Sequence, residues 1–377
     1  MKKFVIFCSL TLLCINMMAQ IDLTDQNWKR VFYDDFTTNY WNTWENWRVT
    51  HPEPLGHYIS YLDECSSGVT HGYNEHQAYQ RENCQFRNGN LILTSFYEGG
   101  DNLMPMHCGD YDLPPGKTCD AQHQTLFYTS GNLQTTTKFL YGYFEIRCSL
   151  PIHKGSFPAF WLWGAGTDYY NEIDIFEYSH GISYVNHNKQ FTCGIYCDNT
   201  HPAPSNSFVP ISQARVNPIL PNDSDDLTHF HVFACEWLPN RVSWYVDGNV
   251  INEYTNYDSI PHHEMTLKVN YAIDNYAVSQ EPVSPTWFGN DEMTIDYIKV
   301  YQLKTDCNDD VLISNAQDLT DFQPSVKRSI VIEPSSEFAV PQNTDINMRA
   351  VESIVIDKGF TIPQGVKITM QTHLCPE

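Results

Sequence analysis

Three carboxylic acids stand close together in the run Asn171-Glu172-Ile173-Asp174-Ile175-Phe176-Glu177-Tyr178. From Glu172 to Ile175 acidic and aliphatic residues alternate, the period of a β-strand with one polar and one apolar face. Glu172 and Asp174 therefore share a face. Glu177 breaks the period, because it follows Asp174 by three residues rather than two, and a regular strand would turn it to the aliphatic side. One extra residue taken up as a β-bulge near Ile175-Phe176 returns it to the face of the other two acids. The expected arrangement is a row of three carboxyls aimed into a groove. Like charges that close raise at least one pKa, and burial raises it further. An ionised carboxylate and a protonated carboxyl about 5–5.5 Å apart are what retaining cleavage of a glycosidic bond requires, the first as nucleophile and the second as acid. On a flat strand Glu172 and Glu177 would lie about 16 Å apart, and Glu172 and Asp174 about 7 Å. The kink is thus a geometric requirement of that chemistry. The competing reading is an amphipathic edge strand with a wet acidic face.

The elements around this strand follow from composition. The 377 residues include 9 Trp, 23 Tyr and 20 Phe, and long helical periodicities are scarce. That combination predicts an all-β sandwich whose concave face displays aromatic rings. A formal charge of −23 gives a field that repels polyanions, which argues against nucleic acid as a partner. It also favours neutral glycans over sulfated or uronic ones, since no cluster of Arg or Lys is visible along the chain. Met1-Lys2-Lys3, the apolar run from Phe4 to Ile15 and the small residue Ala19 read as a bacterial secretory signal over residues 1–20. The run is too short to span a bilayer, and nothing later is a candidate span. Leu13 precedes Cys14 where a lipid anchor wants a small residue, so plain secretion, to periplasm, cell surface or medium, is expected.

Of the 12 cysteines, Cys8 and Cys14 fall in the leader. In an oxidising compartment some of the others pair. Cys108 and Cys119 bracket a loop and suit a bond. Cys193 and Cys197 share one side of a strand but lie too far apart to bond each other. The absence of paired CxxC motifs argues against zinc, and His229 and His231 read as packing residues.

In chain order, Trp28–Phe36 is a first strand. Trp41, Trp44 and Trp47 read as loop and strand aromatics, and Gly72–Tyr79 offers Asn74 and Glu75 as substrate contacts. Asn88-Gly89 and Asp247-Gly248 are hairpin turns. Residues 99–127 and 198–228 are long irregular insertions of the kind that carry function. Tyr143–Cys148 reads as a strand with one wet face, Phe157–Trp163 as a buried aromatic strand, and Met265–Ala272 and Met293–Gln302 close a sandwich over residues 21–304. After an acidic linker at Asp306–Asp310, short apolar runs recur at Ser329–Ile332, Phe338–Val340, Ser353–Ile356, Phe360–Ile362 and Val366–Met370. They predict a small stacked-β domain over 305–377, with Cys307 and Cys375 at its ends as a staple.

Taken together these runs resemble glycoside hydrolase family 16, the laminarinase, agarase and carrageenase group. The matching pieces are Asp34-Asp35-Phe36, Asn88-Gly89-Asn90-Leu91, Tyr128-Thr129-Ser130-Gly131, Tyr141–Arg147, Pro158-Ala159-Phe160-Trp161, the acid run, Phe230–Phe233 with Glu236-Trp237, Tyr245–Gly248 and Ile295–Tyr301. They fall in that family's order over residues 28–303. The resemblance implies a concanavalin-like β-jelly roll with Glu172 as nucleophile, Glu177 as acid/base, and Asp174 hydrogen-bonded to Glu172. It makes Trp161 the floor of the cleaved sugar's subsite, where a pyranose buries apolar area on the indole. Trp163 extends that floor, and Tyr128, Asn132 and Asn270 join the candidate substrate contacts. It also implies a structural calcium on the convex face, held by main-chain oxygens at Asp35 and Gly89 and by the Asp296 carboxylate, and no cofactor for catalysis.

Three departures bear on substrate. Asn132 stands where laminarinases carry Arg, Asp274-Asn275 where they carry a Gly-Gly turn, and Tyr196 or Cys197 where that group often has His. The C-terminal domain is similar to small stacked-β domains that follow secreted enzymes of Bacteroidetes-like bacteria. The expectation is a secreted, monomeric, retaining endo-hydrolase of a neutral β-1,3/1,4-linked polysaccharide. The alternatives are a carbohydrate-binding sandwich without catalysis, a transglycosylase, and an enzyme for β-galactan or host O-glycans.

Overall fold

The structure is a computed structural model. It describes residues 26–37, 46–48, 57–59, 77–97, 128–153, 155–165, 170–179, 186, 188–198, 215–220, 225–273, 292–341 and 345–376. The strands up to the end of the sandwich are β1 (Trp28–Asp34), β2 (Trp47–Arg48), β3 (His57–Ile59), β4 (Gln77–Gln80), β5 (Cys84–Arg87), β6 (Asn90–Tyr97), β7 (Tyr128–Ser130), β8 (Asn132–Phe139), β9 (Gly142–Ser149), β10 (Ser156–Ala165), β11 (Tyr170–Glu177), β12 (Thr192–Asp198), β13 (His231–Leu238), β14 (Arg241–Val246), β15 (Asn249–Tyr254), β16 (Met265–Ile273) and β17 (Glu292–Leu303). They form two sheets. One is 11-stranded, in the order β15-β14-β13-β9-β17-β6-β7-β4-β3, with β1 beside β17 and β5 beside β6. The other is 6-stranded, in the order β12-β11-β10-β16-β8-β2. This is the jelly-roll sandwich the sequence predicts.

Two hairpins set register. Asn88 and Gly89, and again Asp247 and Gly248, have positive φ at both turn positions, which matches the right-handed twist of the strands they join. Arg87 then faces Asn90, and Val246 faces Asn249. The core between the sheets holds Phe144, Ile146 and Cys148 of β9, Phe160 and Leu162 of β10, Ile173 of β11, and Leu267 and Val269 of β16, all fully buried. The outer face of β9 is not wet as the alternation suggests. Because β9 lies between β13 and β17, Tyr143 and Glu145 are buried too. Tyr143 donates to Glu145 at 3.2 Å, and the Lys299 ammonium lies 3.5 Å from the same carboxylate. Trp47 is a packing residue, edge-on to Phe32 at 5.3 Å. Trp41, Trp44, Cys108 and Cys119 lie outside the described residues.

From Thr305 a separate sheet begins. Its strands are β18 (Thr305–Ile313), β19 (Val326–Ile332), β21 (Asp345–Ile356) and β23 (Lys367–Thr372), with a short helix α1 (Ala316–Asp321) and the minor pair β20 (Phe338–Ala339) and β22 (Phe360–Thr361). The order is β18-β19-β21-β23, every pairing parallel. The recurring runs stack coil on coil: Ser329 to Ile332 lie over Ser353 to Ile356, and Phe338 over Phe360. Ile313, Ile330, Ile332 and Met348 form a core distinct from that of the sandwich. Cys307 and Cys375 are bonded across a separation of 68 residues, the staple expected from the sequence. The Asn27 side chain donates to the Asn347 carbonyl at 2.8 Å and ties this domain to the sandwich. Among the described residues no helix is long and apolar enough to cross a membrane.

Candidate active site

The 6-stranded sheet buries one face and presents the other. Its key irregularity is in β11. Asp174 pairs with Trp161 of β10, but Phe176 pairs with Phe160, so Ile175 is the residue without a partner. The same slip lies between Asp174 and Glu177 on the β12 side. Ile175 and Phe176 are consequently both buried in the core, and Glu177 returns to the side of Glu172 and Asp174. The bulge read from spacing is present at the expected place.

Antiparallel register then writes the trough in three rows. Tyr196, Glu172, Trp163 and Thr266 face one another across β12, β11, β10 and β16. The next row is Gly194, Asp174, Trp161 and Lys268, and the third is Thr192, Glu177, Ala159, Asn270 and, on β8, Asn132. The three acids thus have the two indoles beside them on β10.

Asp174 is 2% exposed. Burial, then the charges of Glu177 and Glu172, push its carboxyl well above the usual carboxylate range, against the opposing pull of Arg215. The family resemblance implies a bond from Asp174 to Glu172. A hydrogen bond with Glu177 and the charge of Glu172 both act on the Asp174 carboxyl. The Asp174 main-chain carbonyl accepts from the Trp244 indole at 2.8 Å, which anchors the kinked strand to the opposite sheet. On β12 burial raises the Tyr196 hydroxyl far above the ordinary phenol range, and the charges of Asp174, Glu177 and Glu172 raise it further. Arg215 donates to that hydroxyl at 2.7 Å and stands 3.7 Å from Glu177 Oε2.

The Trp161 indole donates to Asn270 Oδ1 at 2.7 Å, and Asn270 in turn donates to the Tyr79 hydroxyl at 3.0 Å. Asn270, expected as a substrate contact, is 6% exposed and orients the ring instead. Lys268 is a buried cation between both indoles, its ammonium 4.8 Å from the Trp161 ring and 4.5 Å from the Trp163 ring, a cation–π pairing of two faces with one charge. Asn132 is buried opposite Asn270.

Tyr128 does not reach the trough. It is 2% exposed within the core and packs on Tyr97 at 5.3 Å, because β7 runs between β6 and β4 in the larger sheet. Asn74 and Glu75 lie outside the described residues, as do Asp274 and Asn275.

Of the donors expected for calcium, the one side-chain carboxylate, Asp296, is already engaged, while Asp35 and Gly89 would offer main-chain oxygens. The Asp296 carboxylate is held by Arg147 at 2.6 Å. Among the described residues no group of three or more His, Cys, Asp and Glu side chains could hold a metal ion.

Sequence reasoning passed over Lys268, Arg215 and Tyr79. A signal for Lys268 was present, a charge two residues before Asn270 inside the apolar run Met265–Ile273, hence on the same face. Arg215 gives no signal of its own, but Gly194 inside a strand marks a close backbone approach.

Residues 73–299 match the family model for glycosyl hydrolases family 16. The chain is similar to an endo-1,3-1,4-beta-glycanase, EglC, of Rhizobium meliloti, with 30% identity over 195 residues, covering 51% of this chain and 37% of that protein. It is similar to a beta-glucanase of Rhodothermus marinus, with 29% identity over 198 residues, covering 46% of this chain and 63% of that protein. The matches therefore span less than two thirds of these relatives. Among solved structures, porphyranase B of Zobellia galactanivorans aligns with a TM-score of 0.51 at 16% identity, over 73% of this chain and 93% of that one. The non-specific endo-beta-1,3(4)-glucanase SCLam aligns with a TM-score of 0.50 at 24% identity, over 74% and 92%. At these identities the likeness is one of fold.

Proposed function

The chain belongs to glycosyl hydrolase family 16, and from that premise we propose that it is a retaining endo-acting hydrolase of a β-linked polysaccharide. The observation that carries the reading is the bulge at Ile175, which gathers Glu172, Asp174 and Glu177 beside Trp161 and Trp163. In the proposed reaction Glu177 gives its proton to the departing glycosidic oxygen while the Glu172 carboxylate attacks the anomeric carbon, leaving a glycosyl ester on Glu172. Glu177, now ionised, takes a proton from water, and the resulting hydroxide cleaves the ester and restores both groups. Burial and the charges of Glu177 and Glu172 raise the Asp174 carboxyl well above its usual range, which disfavours three negative charges in the trio and favours ionisation of Glu172. No step is routed through calcium.

A neutral glycan with β-1,3 or β-1,4 bonds suits the trough best. It does hold two cations that the linear sequence did not bring together, but both are engaged. Arg215 meets Glu177 and Tyr196, and Lys268 meets two indoles. The apolar leader supports a proposal of secretion, and the enzyme is proposed to act as a monomer.

The test is a digest of β-1,3-glucan, mixed-linkage glucan, β-galactan and mucin-type O-glycan with mass analysis of the products. One of these is expected to yield short oligosaccharides. Glu172→Gln and Glu177→Gln each lose about a thousandfold or more in kcat with an unchanged circular dichroism spectrum. Near-normal rates in either variant overturn the assignment, and products longer than the substrate indicate transfer to sugar rather than water.

A further inference from the structure

We propose that Arg215 is a positioning residue for the reaction proposed above: it straps the Glu177 carboxyl to the Tyr196 hydroxyl and fixes how the three carboxyls share their protons. The proposal rests on that reading of the carboxyls and adds a residue from outside the acid strand.

The strap is built from the backbone up. Cys193 of β12 and Val216 exchange both main-chain hydrogen bonds, at 3.1 and 3.0 Å. That bridge lays the segment along the outer edge of the trough sheet. One residue further on each chain, Gly194 and Arg215 touch. A Cβ built on Gly194 would stand 3.1 Å from the Arg215 Cα and 3.3 Å from its Cβ. Gly194 is the register partner of Asp174, so the missing side chain is what lets an arginine enter directly over the acids. From there one guanidinium nitrogen, Nη1, donates to Tyr196 at 2.7 Å and the other, Nη2, lies 3.7 Å from Glu177 Oε2. Tyr196 is itself the register partner of Glu172. One planar cation therefore joins Glu177, at one end of the acid row, to the tyrosine that pairs in register with Glu172, at the other. The side chains of Arg215 and Glu177 are 29% and 17% exposed, so the pair is screened less than one on open surface.

Among the described residues, Asp174 and Glu172 are the acids that accompany Glu177 on β11. β12 offers the Tyr196 hydroxyl and, on its core side, the buried Cys193 thiol. β10 presents Ala159, Trp161 and Trp163, none of which titrates. Beyond it on β16, Lys268 is turned to the indoles. Arg215 is the cation beside Glu177. An adjacent positive charge favours ionised carboxyls, so its loss makes the coupled set hold protons to higher pH.

The test is the pH profile of kcat/KM for the full chain and for Arg215→Met, Arg215→Lys and Gly194→Ala. In Arg215→Met the basic limb is expected to move up by about one pH unit, and kcat to fall about tenfold. Arg215→Lys, which keeps the charge, returns the limb most of the way. Gly194→Ala, which pushes the strap outward, gives a smaller shift of the same sign. Falling rates with the limb unmoved, a change confined to KM, or no rescue by Lys would each overturn the proposal. The parent reading fails separately, by an inactive wild type or an active Glu177→Gln variant, and it takes this proposal with it. With an active wild type and an inert Glu177→Gln variant, the position of the limb alone decides the role of Arg215.

Discussion

Both the trough and the C-terminal domain contain a strand whose pairing slips, and the two slips have opposite consequences. In β11 the slip at Ile175 turns Glu177 toward the buried Asp174, and burial with like charges drives the Asp174 carboxyl well above its usual range. In the C-terminal domain the slips lie between Asp306 and Asp310 and between Lys327 and Ser329. The acids there meet solvent and partners. A hydrogen bond from Ser325, then one from Lys327, holds Asp306 below its usual range, and a bond from Arg328 does the same for Asp310. A bulge redirects side chains in either setting. Whether that makes reactive groups depends on what the redirected groups face. The trough gathers like charges and buries them, at a cost in stability. The stacked coils pair unlike charges in water and derive their stability elsewhere.

That elsewhere is the staple, so the sharpest break between the regions comes from cutting it. With Cys307→Ser, or with reductant, the loop of 68 residues is no longer closed, and the C-terminal domain should lose roughly 4 kcal/mol of stability on the loop-entropy model. Calorimetry of the full chain should then show an early transition for residues 305–376, while glycan cleavage keeps its rate. A parallel loss of activity would mean that the two regions are not separable in this way. From the trough side the matching experiment is Trp161→Ala. It should cost about a hundredfold in kcat/KM through lost stacking, with the transition of the C-terminal domain unmoved. A loss below about threefold, under 1 kcal/mol, would remove Trp161 from the sugar floor.

These differences also explain what could be read from the chain. The bulge was legible because Glu177 violates a period that Glu172 and Asp174 establish within the same short run. The coils were legible because the runs at Ser329 and Ser353 repeat, and a repeat stacks in register. Tyr128 was misplaced because a motif fixes order along the chain and not which sheet closes over a ring. Arg215 could not be found at all. Its partner Glu177 is 38 residues away, and the bridge that delivers it, Cys193 to Val216, joins a strand to an irregular loop without periodicity. Local patterns fix faces and turns, while cations delivered from loops depend on the closed fold.

A half-exposed pair of unlike charge in the sandwich, a buried histidine on an exposed aspartate, gives an intermediate case. His231 is 3% exposed at its side chain and its Nδ1 lies 2.8 Å from Asp247 Oδ2. Desolvation alone would lower the His231 pKa, but the bond and charge of Asp247 outweigh it and raise it above the ordinary 6.5. Burial would raise the Asp247 carboxyl, and the bonds from His231 and Val232 bring it below 3.8. The histidine's contribution is therefore complete below about pH 6.5 and lost as pH rises through its folded value, and the aspartate's is present above about pH 3.8 and lost as pH falls below it. Between those limits the pair, screened on the Asp247 side by solvent, should contribute about 1 kcal/mol or less. The thermal midpoint of the sandwich should decline from about pH 6 to about pH 8 in the wild type, and the decline should flatten in His231→Gln. An equal slope in both proteins would show that the pair does not titrate as a unit.

The smallest effect belongs to Arg328, and its smallness is the point. The guanidinium bonds the Asp310 carboxylate through both Nε and Nη2, a bidentate geometry that looks stronger than the single 3.7 Å approach of Arg215 to Glu177. Yet Arg328 and Asp310 are about half exposed. Water and salt screen them, and two long side chains are held in one geometry in return for little attraction. Arg328→Ala should move the midpoint of the C-terminal transition by no more than about 1 °C, a shift that vanishes in molar salt. Arg215→Met, with poorer geometry but less water, should move the pH profile under the same salt. If the ranking reversed, so that Arg328→Ala unfolded the coils and Arg215→Met left the profile in place, hydrogen-bond geometry rather than exclusion of water would decide what a bulged strand's charges do.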